Sequence, residues 1–223
     1  MTSIDLVDAQ VKKPSSYRQE QAEATRLRIA LAAQTLFARD GYAVTSIDAI
    51  AREAGVGTRT VYAVYGAKRE ILNAICERWL ERARARELAK EILEEPDATA
   101  RVAGAARWLT TLYATDFDVV RILDAAMDED AETQSLLRSK LRGRNRVMDG
   151  LIASVESSLV LPLADAQAIY RALAASGVYN ELVVTEQWGP ERFQEWLRRT
   201  LSTQLLGAAD GDQQRARPEA RKR

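Results

Sequence analysis

Three features of the 223-residue sequence predict an all-α fold. Helix breakers are scarce, with 11 glycines and 5 prolines, while the strong helix formers Ala, Leu, Arg and Glu abound. Apolar residues recur three and four positions apart along most of the chain, the period of a helix with one covered face. The glycine and proline clusters fall between these periodic segments, where helices end.

Composition narrows the function classes. Hydrophobic residues make up 47% and charged residues 29% of the chain, ordinary for a globular protein with a sizeable core. A single cysteine, Cys76, and the absence of histidine exclude an intrachain disulfide, a Cys/His zinc site and a Ser-His-Asp triad. No apolar run approaches the roughly 20 residues that cross a bilayer. The start, MTSIDLVDAQVKK, lacks the order of a secretion signal. These features imply a cytoplasmic protein with no membrane partner. Net charge is zero, but its distribution is uneven. From Lys12 to Arg69 ten Lys/Arg face five Asp/Glu, a balance of +5; from Pro96 to Asp210 twelve face sixteen, a balance of −4. One end is therefore suited to meet phosphates and the other is not.

Residues 1–20 have no sustained period and contain Pro14-Ser15-Ser16, which predicts a mobile arm; of its two readings, a basic arm laid against DNA through Lys12, Lys13 and Arg18 or a solvated tail, the tail is favoured. The first helix is predicted from about Gln21 to Arg39, with Ile29, Ala32, Ala33, Leu36 and Phe37 on one face and Asp40-Gly41 as its stop. Thr45-Ser46-Ile47-Asp48 has the form of a capping box, with Thr45 as the cap. Ile47, Ile50, Ala51 and Ala54 give a short helix its buried face, Gly55 stops it, and Val56 plugs the turn. Thr58 is the predicted cap of the next helix, whose apolar and aromatic positions are Val61, Tyr62 and Tyr65.

Two short helices joined by a glycine turn on the basic end of the chain form a helix-turn-helix, whose second helix enters a major groove. Thr58, Arg59, Thr60 and Ala63 are left facing outward. Arg59 can make a bidentate contact to guanine, Thr58 and Thr60 can bond phosphate or base edges, and Ala63 suits a thymine methyl. Lys68, at the start of the following helix, is placed to hold phosphate.

The run TLFARDGYAVTSIDAIAREAGVGTRTVYAVYGAKREIL resembles the N-terminal domain of the TetR family of transcriptional repressors. The landmarks are Phe37, Gly41-Tyr42, Thr45-Ser46, Ile50-Ala51, Ala54-Gly55-Val56, Val61-Tyr62, Tyr65 and Lys68, and the resemblance covers about residues 25 to 85. It implies a helix-turn-helix over Ser46 to Tyr65, with Thr45, Ser46, Thr58, Arg59, Thr60, Tyr62 and Lys68 at or near DNA-contacting positions. The family commonly carries histidine where this chain has Val64.

Behind the head, one long helix is predicted from near Lys68 to about Glu94. Ile71, Leu72, Ile75, Trp79 and Leu80 form its packing face, and a charge-dense, solvated second half follows. The resemblance implies that this helix connects two domains. Pro96-Asp97 marks the boundary. Further helices are predicted over Ala100–Ala114, Phe117–Met127 and about Thr133–Leu159, the last broken by Pro162. The final two run from Ala164 to about Thr185 and, after Gly189-Pro190, through Phe193, Trp196, Leu197, Leu201 and Leu205 to Gly207. The remainder, GDQQRARPEARKR included, reads as a disordered tail.

A lone helix-turn-helix contacts few bases, so such heads work in two-fold pairs about 34 Å apart. The final two helices are the expected homodimer interface, through Ile169, Leu173, Gly177, Phe193, Trp196, Leu197 and Leu201; the resemblance implies the same, and the alternative is that these stripes are only the core of a single chain. The middle helices are expected to enclose an effector. Trp108, Tyr113, Phe117, Val120, Met127, Met148, Ile152, Tyr170 and Trp188 supply the apolar and adaptable surface of a small-molecule pocket, although such residues also build ordinary cores.

The sequence thus predicts an N-terminal three-helix DNA-binding head with a helix-turn-helix, followed by a larger helical ligand-binding and dimerisation domain. The divisions are an arm (1–20), the head (21–70), a connecting helix (71–95), the larger domain (96–207) and a tail (208–223). The expected function is a ligand-responsive regulator, a repressor that binds double-stranded operator DNA as a homodimer and is released by an unidentified small-molecule effector. No cofactor, metal or catalytic residue is expected. The alternatives are an all-helical enzyme, which would have to work without histidine, a phosphate loop or a metal cluster, or a protein-interaction module. The Thr58-Arg59-Thr60 face, free of acidic and bulky apolar residues, argues against the latter.

Overall fold

The computed structural model describes residues 14–207, and every regular element among them is helical. The arm expected over 1–20 lies outside the described residues up to position 13, and so does the tail expected from 208. The described chain separates into two units that meet in sequence at Leu72 and Asn73.

The first unit holds α1 (Pro14–Asp40), α2 (Ile47–Glu53), α3 (Thr58–Tyr65) and the first turn of α4 (Lys68–Arg82). Helix α1 starts ahead of the expected Gln21. Residues 17–24 are exposed all round, so they carry no apolar period, yet YRQEQAEA is made largely of helix formers. Beyond Arg28 the helix acquires its covered face, with Ile29, Ala33, Leu36 and Phe37 buried. Gly41, at φ +98°, turns the chain out of α1, and Phe37 meets Tyr42 edge-on at 4.9 Å. Gly55, at φ +64°, ends α2. There the Val56 N–H reaches back to the Ala51 carbonyl at 2.9 Å, the closing bond of a glycine-terminated helix.

The second unit contains the rest of α4, α5 (Ala85–Glu94), α6 (Ala98–Thr115), α7 (Phe117–Ala125), α8 (Ala131–Ala153), α9 (Leu163–Leu173), α10 (Ser176–Tyr179) and α11 (Pro190–Leu206). Helix α6 is its axis, packed against α5, α7, α8 and α11. Asp97 caps α6 by accepting from the Ala100 N–H at 2.7 Å. Asp130 caps α8 by accepting from the N–H groups of Glu132 and Thr133. Pro190 opens α11 at a position where its missing N–H costs nothing. The buried aromatics fasten the helices through their polar ends. Trp79 Nε1 donates to the Leu112 carbonyl and Trp108 Nε1 to the Ala85 carbonyl, both at 2.8 Å. The Tyr170 hydroxyl donates to the Ala105 carbonyl at 2.6 Å.

Three sequence expectations are corrected. The helix predicted from Lys68 to Glu94 is two helices, because Arg84 takes a left-handed conformation (φ 49°) between α4 and α5. The bend turns Ala83, Ala85, Ala89 and Ile92 inward, and small alanines gave the second half no apolar signal. The helix predicted over 164–185 also breaks. Ala175 is extended (ψ 136°), and after α10 the chain widens into a π-helical turn at Asn180–Thr185. The third correction concerns α11. Phe193, Leu197 and Leu201, expected at a dimer interface, are 0% exposed within the single chain. Together with Leu205 they form the inner stripe of α11, which packs against α6.

Candidate functional site

The head presents α3 outward. Arg59, Tyr62 and Ala63, spaced three and four apart, share its exposed side, with Thr60 half-exposed beside them. Tyr62 leaves 53% of its surface free, and Arg59 has no partner among the described residues. The opposite side of α3 buries Val61 and Tyr65. This separation leaves the only long cationic side chain of α3 on the solvent side.

The supports of α3 come from both neighbours. The Thr58 hydroxyl donates to Asp48 Oδ1 at 2.7 Å, tying α3 to α2. The Tyr65 hydroxyl donates to the Arg26 carbonyl at 2.9 Å. The Arg26 guanidinium lies 4.5 Å from the Tyr65 ring centre and donates to the Val64 carbonyl at 3.2 Å. Burial pushes the Tyr65 hydroxyl above its ordinary pKa, against the pull of Arg26, so it stays a donor. Asp48 was read only as part of a capping box and Arg26 was not singled out in the sequence; both lie on solvated faces, and only the fold reveals these partners.

Several expected roles move. Thr45 is not the cap of α2. It is buried at 4% exposure, and its hydroxyl donates to the Gly41 carbonyl at 2.7 Å, so its side chain is turned from the outer face. Ser46 is the cap, accepting from the Ala49 N–H at 3.1 Å. Thr58 does not cap α3, since Gly57 holds that position and Thr58 already lies in the first turn. Lys68 is committed inside the head. Its ammonium donates to the carbonyls of Tyr42 (2.7 Å), Ala43 (3.1 Å) and Thr45 (3.2 Å), which occupies the three hydrogens it has for phosphate.

The second unit encloses a cavity of about 330 Å³ among α4, α5, α6, α7 and α8. Of the residues expected to line a pocket, Trp108, Tyr113, Val120 and Met127 do so. Phe117, Met148, Ile152 and Tyr170 do not. Met148 and Ile152 are core residues, Tyr170 is spent on the Ala105 carbonyl, and Phe117 stacks in an aromatic cluster with Tyr113 and Tyr179. Trp188 lies elsewhere, on an open groove along α11 beside Trp196, with Arg192 stacked 4.0 Å over its ring. Ile169 and Leu173 are half-buried and Gly177 is exposed.

The cavity also gathers charge that the sequence did not announce. Glu77 and Lys140 are hydrogen-bonded to each other across it. Arg144 donates to the Tyr113 hydroxyl at 3.1 Å, and that hydroxyl donates to the Ala174 carbonyl at 2.6 Å. The sequence RGRNRVMDG contains three arginines in alternation. Arg142 and Arg146 are exposed, and only Arg144 turns in. Cys76 sits in the cavity wall, and burial pushes its thiol up to about 11. Among the described residues no group of three or more Asp, Glu, Cys or His could hold a metal, and no helix is long and apolar enough to cross a membrane.

Comparison with known proteins agrees with this geometry. Residues 29–75, the span from the covered part of α1 into α4, match the family described as bacterial regulatory proteins, tetR family. No curated protein sequence is matched by the chain. Among solved structures, the fold is similar to NalD of Pseudomonas aeruginosa, the secondary repressor of the MexAB-OprM multidrug efflux pump. That match has TM-score 0.66 and 22% identity, and covers 84% of this chain and 98% of that one. It is also similar to the transcriptional regulator FadR of Bacillus subtilis, solved in complex with stearoyl-CoA, at TM-score 0.65 and 18% identity, covering 82% and 99%. A putative TetR-family regulator from Syntrophomonas wolfei aligns at TM-score 0.69 and 20% identity, covering 85% and 99%. These matches are to transcriptional regulators. The head, residues 29–75, thus matches the N-terminal domain of the tetR family of bacterial regulatory proteins, and the chain as a whole shares the all-helical fold of these solved regulators.

Proposed function

We propose that the protein is a ligand-responsive repressor that binds operator DNA as a homodimer and lets go when a small molecule fills the second unit. The observation that carries the DNA-binding part is the outer side of α3, where Arg59, Tyr62 and Ala63 stand together and Arg59 has no intramolecular partner. An arginine kept solvated and unpaired on a recognition helix is available for a bidentate contact to guanine. Two heads held by a dimer would read two half-sites about one helical turn apart.

The cavity of about 330 Å³ supports the effector part, since its size and largely apolar lining suit a small ligand. An effector that favours one head separation over another shifts operator affinity by its differential binding, typically about 1–3 kcal/mol. The outer side of α9, α10 and α11, with the exposed Gly177 and the half-buried Trp196 among its residues, is the surface proposed for the partner copy. Such a regulator would work in the cytoplasm.

The test is a gel shift of the full chain on DNA from upstream of its own coding sequence, at rising salt. Specific retention that weakens steeply between about 50 and 200 mM salt is expected. Retention no stronger than on unrelated DNA, for this and for a pool selected from random sequence, would defeat the proposal.

A further inference from the structure

The electrostatics of the cavity point to the chemistry of its ligand. The basic lining groups are Arg86, Lys140 and Arg144, and the acidic ones are Glu77 and Asp124. Lys140 holds Glu77, and Arg86 reaches the same carboxylate at 3.6 Å while remaining 85% exposed. Asp124 is exposed to solvent, where water screens it. Arg144 is different. Its terminal nitrogen donates to a neutral acceptor, the Tyr113 hydroxyl, and it has no carboxylate partner among the described residues. Its Nε is buried without an acceptor. Arg144 as a whole is half-buried, and a guanidinium that lines a largely apolar cavity without a carboxylate partner is matched best by an anion at its terminal nitrogens. The other walls, Trp79, Leu112, Val120, Leu123 and Leu137 among them, are apolar. Gly143, one residue before Arg144, adds room: a Cβ built there meets nothing within 4 Å.

We propose that this cavity takes an unbranched or flat apolar molecule bearing a single anionic head, a carboxylate for example, with the head seated on Arg144. At a liquid volume of ~30 Å³ for each water-sized group, a cavity of about 330 Å³ holds a ligand of medium length. The inference rests on reading this cavity as the effector site. It adds a consequence for the fold. An anion on Arg144 competes with the Tyr113 hydroxyl, which anchors the carbonyl of Ala174 at the break between α9 and α10. Occupancy is thereby tied to the segment proposed to meet the partner copy.

The experiment is calorimetric titration of the full chain with three probes matched in length: octanoate, 1-octanol and octylammonium. Octanoate should bind at least tenfold more tightly than either of the others. Arg144→Gln should bring octanoate down to the level of octanol and leave octanol unchanged, while Arg144→Lys should retain part of the preference. Gly143→Leu, which fills the cavity, should weaken octanoate and octanol alike. Equal binding of the three probes, preference for the ammonium, no binding, or a preference that survives in a folded Arg144→Gln protein would overturn the proposal. So would affinities unmoved by Gly143→Leu. Operator retention measured on the same samples separates the two readings. Selective octanoate binding without change in DNA affinity would sustain the anion site and remove its effector role. Release of DNA by a different ligand, with no octanoate selectivity, would do the reverse.

Discussion

The Lys68 ammonium donates to the Tyr42 carbonyl at 2.7 Å and stands 4.2 Å from the centre of the same tyrosine's ring. With the Ala43 and Thr45 carbonyls also accepting, the start of α4 is pinned to the loop between α1 and α2. Hydrogen bonds from a charged donor are worth about 1.5–3 kcal/mol net. Lys68→Met should therefore lower the stability of the head by about 2 kcal/mol, read by urea denaturation. The salt slope of DNA binding, measured on the folded fraction, should be unchanged. A flattened slope with intact stability would return Lys68 to the phosphate backbone.

Arg59 makes the opposite prediction. It is exposed and unpartnered, so Arg59→Ala should leave the denaturation midpoint where it was. Selection from random DNA should then show lost discrimination at one base pair of each half-site, about 1–3 kcal/mol. An unchanged preferred sequence would remove Arg59 as a base reader.

The head was legible in the sequence because its determinants are local: Gly41 and Gly55 at helix ends, hydroxyls before α2, and apolar residues at helical spacing. What the sequence did not settle were choices made by tertiary packing. Thr45 and Ser46 can each cap a helix, and burial of Thr45 against the Gly41 carbonyl decides between them. Lys68 reads as a phosphate ligand until the loop folds over it. In the second unit the stripe Phe193, Leu197 and Leu201 was legible as a covered face. Periodicity does not say whether the cover is α6 of the same chain or a second copy. Arg144 was invisible for a related reason: an arginine between two solvated arginines carries no mark of the cavity it enters.

Helices α5 and α6 approach closely at Gly104. A Cβ built there would stand 2.7 and 2.8 Å from the Ile92 Cγ1 and Cγ2 atoms, and Ile92 is 0% exposed. Ile92 is β-branched and stiff, so it has little room to yield. Gly104→Ala gains helix propensity yet should destabilise the protein by about 1–3 kcal/mol through overpacking. Gly104→Ala combined with Ile92→Val should recover part of that loss in thermal denaturation; no loss in the single variant would show that the contact is soft.

Cys76 predicts a pH effect. Its thiol is raised from 9.0 to about 11 by burial, with Lys140 opposing and Glu77 adding to the shift. An unfolded chain ionises this thiol near its ordinary pKa while the folded chain holds the proton. Stability is therefore unaffected below about pH 9 and falls as pH rises from 9 towards 11. Two pKa units correspond to about 3 kcal/mol at most. The difference in unfolding free energy between the wild type and Cys76→Ala should shrink over that interval. A difference independent of pH would show that the thiol is not held neutral by burial.

The two sides of α11 and its neighbour α10 allow the dimer proposal to be tested without confusing it with folding. Phe193 is 0% exposed, so Phe193→Ala should cost about 3–5 kcal/mol as a cavity in the single chain, whatever the oligomeric state. Gly177 is exposed, and a Cβ added to it meets nothing within 4 Å. Gly177→Arg is accordingly free of clashes within one chain but would set a long charged side chain on the surface proposed for the partner. Light scattering should show a dimer for the wild type and a shift towards monomer for Gly177→Arg. The variant should unfold like a wild-type monomer at matched dilution. DNA affinity should fall with the dimer, because one head reads only one half-site. A Gly177→Arg protein that stays dimeric would exclude this surface from the interface, and a wild type that is monomeric at working concentration would defeat the two-headed reading altogether.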